Sequence, residues 1–162
     1  MNSMHWQKWI SGALAGVLCA AALAAAQERY EDTQAIVQFQ RAADSYALTH
    51  RQVERKLSAA DQMPAALRAA RSGSHQNVFF TPAVQVAFRN RITHALRSPE
   101  CVAELANQAS QEGRVACVTK VLPHLPDELE YIVFGRTLLL VDRHVHIVVD
   151  VFLDAFNPPE TR

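Results

Sequence analysis

The chain reads as a mainly helical α+β domain, with about four to five helices followed by a C-terminal β-hairpin. Three observations predict that class. Apolar residues recur at spacings of three and four from Asp32 to Leu57. Thr81-Pro82 and Ser98-Pro99 are hydroxyl-proline pairs that start helices. Beyond Pro126 the helical period gives way to aliphatic and β-branched runs divided by Gly135-Arg136.

Residues 1–26 are expected to be a signal peptide, followed by a single globular domain over 27–157 and a short tail over 158–162. Lys8 precedes an apolar run from Trp9 to Ala26, and Ala24 with Ala26 supplies an Ala-x-Ala site that places cleavage before Gln27. An uncleaved anchor is the competing reading, because the run approaches the roughly 20 residues that span a bilayer. Its alanine and glycine content makes it a weak spanner. Leu18 stands before Cys19 where lipid attachment calls for a small residue, which argues against a lipoprotein.

Within the domain, Ile36, Phe39, Ala43, Tyr46, His50, Val53 and Leu57 define one apolar stripe, with Gln38, Arg41, Asp44, Gln52, Arg55 and Lys56 on the other sides. This predicts one long helix packed within its own domain. Pro64 followed by Ala65 to Ala70 predicts a short second helix stopped near Gly73. The loop over 72–77 then leads to Val78 and to Phe79-Phe80, an aromatic pair suited to anchoring the loop on the core. A third helix begins at Thr81-Pro82 and turns Val84, Ala87, Phe88, Ile92, Ala95 and Leu96 inward. A fourth begins at Ser98-Pro99-Glu100 and runs through about Gln108, with its stop near Gly113.

Pro123 and Pro126 mark an extended stretch, after which Tyr131–Phe134 and Thr137–Val141 read as strands joined at Gly135-Arg136. Both faces of that hairpin are largely apolar, so it is expected to lie against helices. From Asp142 the spacing of Val145, Val148, Val149, Phe152 and Phe156 predicts a final helix, although the β-branched run Val145–Val149 also fits a third strand.

Removal of the signal leaves 136 residues, enough for one core. Those residues carry a formal charge of minus one, which argues against nucleic acid as a partner. Residues 27–97 hold ten Lys/Arg against six Asp/Glu, whereas 98–162 hold five against ten, so the two halves are expected to pair with each other. Such pairing accounts for Arg68, Arg71, Arg89, Arg91 and Arg97 more simply than an anion-binding patch does. Cys101 and Cys117 are the two mature cysteines, and an oxidising compartment favours a disulfide between them over two separate buried thiols.

A final helix would bring Asp142, His146, Asp150 and Asp154 into four-residue steps, with an imidazole between carboxylates. His146 with Asp150 is therefore the candidate site for a divalent metal or an Asp-oriented general base, the one cofactor the residues suggest. The simpler reading is a solvated edge of that helix. His144 and His124 read as exposed histidines, and His50 as an interior histidine satisfied by Arg51 and Glu54. No nucleophile elbow, zinc-ligand pair or nucleotide fingerprint is present in the sequence.

Several segments together carry a resemblance: Tyr46-x-x-x-His50-Arg51-x-x-Glu54, Phe79-Phe80-Thr81-Pro82-x-Val84, Phe88-Arg89-x-Arg91 and Leu122-Pro123-x-Leu125-Pro126-x-Glu128-Leu129-Glu130-Tyr131. Gly135-Arg136-x-Leu138-x-Leu140-x-Asp142 and Ile147-Val148-Val149-Asp150 continue it. The chain resembles a group of uncharacterised exported bacterial proteins of unknown function, which implies an envelope location but no reaction and no site residues. The function expected is that of a periplasmic or secreted, monomeric, non-catalytic interaction module whose partner is an envelope protein or small ligand. It would touch the membrane only through an uncleaved signal segment. The alternative is a small metal-dependent hydrolytic enzyme using His146 and Asp150.

Overall fold

The computed structural model describes residues 7–57, 62–71, 79–108 and 113–157. Residues 1–6, the loop over 72–77 with Val78, and the tail from 158 lie outside the described residues. The elements are five helices followed by three strands: α1 (Gln7–Lys56), α2 (Met63–Arg71), α3 (Pro82–Ala95), α4 (Pro99–Gln108), α5 (Ala116–Thr119), β1 (Leu129–Phe134), β2 (Thr137–Asp142) and β3 (Ile147–Phe152). The architecture is mainly helical α+β, as the sequence predicts. Among the described residues no helix is long and apolar enough to cross a membrane.

α1 buries Phe39, Ala43, Tyr46 and His50 of the expected stripe together with Ala35 and Ala47, whereas Ile36, Val53 and Leu57 are half-buried. Ala26, Gln27, Arg29, Tyr30 and Glu31 are exposed, and the predicted cleavage point before Gln27 falls inside this helix. α2 packs on α1 through its buried Met63 and Leu67, one turn apart. At the start of α3 the Thr81 hydroxyl accepts the Val84 N–H and Pro82 occupies the first turn, where a missing N–H costs nothing. Val84, Ala87, Phe88 and Ile92 then face the core.

Phe39 is the hub of that core. Its ring lies 4.8 Å from Phe88, 5.9 Å from Phe80, and 6.2 Å from both Phe79 and Tyr131, joining α1, α3 and the sheet. Burying one such ring contributes about 3 kcal/mol, so this cluster outweighs the surface ion pairs described below. Phe79 and Phe80 are 3% and 1% exposed, so both rings lie within the core.

α4 carries Cys101 and α5 carries Cys117, which lie at disulfide-bonding distance with Cα atoms 5.5 Å apart. The one-turn helix α5 has no side-chain N-cap of its own. Glu104 of α4 supplies the acceptor, taking the Ala116 and Cys117 N–H groups.

The sheet is an antiparallel meander in the order β1-β2-β3. Leu129 through Phe134 pair with Asp142 through Thr137, and Gly135 closes the two-residue turn at φ 58°, the left-handed region that glycine enters without strain. Along β2 the inward residues Leu138, Leu140 and Asp142 alternate with Leu139 and Val141, so one face lies on the helices. The hairpin thus lies against helices as expected, while the other face is partly open, with Phe134, Val148 and Val151 exposed and Val141 buried.

The predicted final helix is a strand. β3 pairs with β2 from Asp142↔Ile147 to Leu138↔Phe152, with a register shift between Leu140↔Asp150 and Val141↔Val148. Val149 is the extra residue of a β-bulge, and both it and Asp150 are buried. The bulge converts the two-residue alternation of a strand into inward positions three apart at Val149 and Phe152, which imitates a helical period. The β-branched run Val145–Val149 carries the competing signal, and strand pairing satisfies it.

Candidate functional site

Because β3 is extended, Asp142, His146, Asp150 and Asp154 do not form a row. Asp142 closes β2 and His146 sits in the exposed turn at φ 52°. Asp150 lies within β3, four residues on, which corresponds to about 13 Å of extended strand. Asp154 follows β3 and pairs with Arg136 at 2.9 Å on the surface.

Asp150 is 8% exposed and its carboxylate is aimed at backbone. Oδ2 accepts the N–H groups of Phe80 at 3.0 Å and Phe79 at 3.2 Å, and Oδ1 accepts that of Val151 at 2.8 Å. It ties the segment that opens α3 to the sheet, satisfying donors that precede the Thr81 cap.

Asp142 performs the same service at the other end of the strand pair. Oδ1 accepts the N–H groups of His144 at 2.9 Å and Val145 at 3.2 Å, shaping the β2–β3 turn. Oδ2 accepts the Tyr46 hydroxyl at 2.7 Å, a bond between residues 96 positions apart. The His50 Nε2 lies 3.3 Å from that same oxygen but off the hydrogen-bond line, and neither ring nitrogen makes a hydrogen bond. His144 presents its ring edge-on to His50, with centroids 5.3 Å apart.

The expectation that Arg51 and Glu54 satisfy His50 therefore does not hold. Arg51 turns away, donating to the Ala47 carbonyl at 3.2 Å and standing 3.3 Å from Glu128. His50 faces the sheet instead, a partner that local spacing on α1 cannot reveal. Tyr46, His50 and Asp142 form a phenol, imidazole and carboxylate cluster in which Asp142 and His50 are 0% and 1% exposed. What the cluster does is clasp α1 to the sheet.

The remaining candidates stay apart. His124 lies in the proline-punctuated stretch, where its carbonyl accepts from Gln40 at 2.9 Å. Among the described residues, no three or more of His, Cys, Asp and Glu are arranged to hold a metal ion. The chain matches no family model, no curated protein and no solved structure. The geometry alone therefore bears on what the domain can do.

Among the described residues, two of the four ion pairs join the basic half to the acidic half. Arg51–Glu128 and the His50–Asp142 contact cross between them, while Arg114–Glu130 and Arg136–Asp154 lie within the acidic half. Arg89 instead stacks over the Phe152 ring at 5.1 Å. Arg91 donates Nη1 to the Val121 carbonyl at 3.2 Å beside Tyr131. Burial pushes the Tyr131 phenol far above its ordinary range, with the Arg91 charge opposing more weakly, so that phenol stays neutral while donating to the Pro123 carbonyl at 3.1 Å.

Proposed function

We propose that this protein is an exported, monomeric, non-catalytic interaction module of a bacterial envelope, periplasmic or secreted, held by a Cys101–Cys117 disulfide formed in that oxidising compartment. The observation that carries the reading is the use of its buried carboxylates. Asp142 and Asp150 each direct both oxygens to the protein's own amides and the Tyr46 hydroxyl, a use that accounts for both as carboxylates holding the fold together. The signal-like residues 1–26 and the resemblance to exported bacterial proteins support the location. The open face of the sheet, with Phe134, Val148 and Val151 exposed, offers apolar area of the kind binding partners cover.

The test is metal content of the protein purified without a histidine tag, compared with its His146→Ala variant. A metal-free protein, unchanged after incubation with zinc, manganese or calcium, supports the module. Near-stoichiometric metal that disappears in His146→Ala would overturn it in favour of a metal-dependent hydrolase.

A further inference from the structure

Between α3 and the chain leaving α5 runs an open groove of about 510 Å³ lined by Asn90, Arg91, His94, Lys120 and Val121. Every polar side chain on this wall can donate a hydrogen bond, and no carboxylate lines it. Arg51, Arg114 and Arg136 each have a carboxylate within 4 Å; among the described residues Arg91, His94 and Lys120 have none. The pairing of halves that would have neutralised this wall is thus missing where three nitrogen-bearing side chains converge.

Arg91 is the built part of the groove. It is half-buried, and its Nη1 bond to the Val121 carbonyl fixes the guanidinium plane while leaving other N–H groups unused. Its neighbour Tyr131 stays neutral, so that phenol does not offset the charge. At the end of α3 the carbonyls of Ile92 and His94 accept from Leu96 at 2.9 Å and Arg97 at 3.3 Å. Asp32 of α1 accepts from Asn90 at 3.2 Å.

We propose that this groove binds a phosphate-type oxyanion, with Arg91 as the fixed contact and Lys120 and His94 closing on it from the two sides. A planar guanidinium fork with an ammonium opposite suits tetrahedral anionic oxygen, and the apolar Val121 wall lowers competition from water. The proposal deepens the binding-module reading and depends on it.

The experiment is an NMR titration of the purified protein with inorganic phosphate, run beside Arg91→Gln, Lys120→Gln and the distant control Arg136→Gln. Saturable shifts at the amides of residues 90–94 and 120–121 are expected, weakened about tenfold in Lys120→Gln and Arg91→Gln and unchanged in Arg136→Gln. Lys120 is exposed, so its variant keeps the test valid if Arg91→Gln unfolds. Shifts that never saturate, or that weaken equally in Arg136→Gln, would overturn the site. A second arm replaces phosphate with phosphatidylglycerol vesicles, using phosphatidylcholine as the blank. Specific binding there assigns the anion to a lipid headgroup, while response to phosphate alone assigns it to a soluble phosphate. Failure of the titration in a metal-free protein removes this ligand only, whereas metal lost in His146→Ala removes the module reading itself.

Discussion

Replacing Asp150 with alanine should cost far more than a surface carboxylate normally would. The variant strips the acceptor from two amides, Phe79 N–H and Phe80 N–H, beside side chains only 3% and 1% exposed. Each buried donor left without an acceptor costs about 1–3 kcal/mol, so the pair amounts to about 4 kcal/mol. The third donor, Val151, is 39% exposed and can turn to water, so it adds little. At about 3–4 °C per kcal/mol for a domain of this size, the melting midpoint should drop by about 12–16 °C. Asp150→Asn, which retains one acceptor oxygen, should fall about half as far. Urea unfolding monitored by circular dichroism gives both values, with the denaturant slope unchanged if the native fold is kept. A chelator should leave wild type and both variants where they were. A loss below about 1 kcal/mol in Asp150→Ala, or a wild type that melts like the variant once chelator is added, would refute the backbone role assigned to this carboxylate.

Reduction of the Cys101–Cys117 bridge, whose partners are 16 residues apart, should cost about 3 kcal/mol by loop closure, and the Cys101→Ser/Cys117→Ser double variant should melt where the reduced protein does. Ser98→Ala should raise the Glu100 carboxyl, which the Ser98 hydroxyl and then its own backbone N–H hold below the usual carboxylate range. Because the folded value is the lower one, the stabilisation is present above the unfolded value and is lost as pH falls through the folded one. A side-chain carbon titration by NMR should show the upward move in the variant.

The helical part of the fold was legible because its signals are local. Thr81-Pro82 and Ser98-Pro99 each state a helix start within two residues, and the stripe of α1 needs only its own spacing. The Gly135 turn was legible for the same reason, since one residue supplies the left-handed conformation. α5 was not, because its first amides are satisfied by Glu104 from another helix, a cap that no neighbouring residue announces. The cysteine pair stood between, since compartment chemistry suggested the bond but only packing of α4 against α5 brings the two Cα atoms to 5.5 Å.

The same distinction explains why the spacing of residues 142–154 reads as helical while the fold makes a strand. His146 and Asp150 were linked by a helical period that a single bulged residue, Val149, had counterfeited. Once the segment is extended, alternation sends Asp150 inward to the Phe79 and Phe80 amides and leaves His146 in the turn. The polar group that does converge, Tyr46 and His50 with Asp142, joins positions nearly a hundred residues apart. Its sole trace in the sequence was a histidine on an otherwise apolar stripe, which signals a buried polar partner without saying where that partner lies. The unmatched Arg91 is the converse case. Composition implies an acidic partner in the other half, whereas four of that half's carboxylates go to His50, Arg51, Arg114 and Arg136 and none among the described residues goes to Arg91, leaving a cationic wall open to solvent.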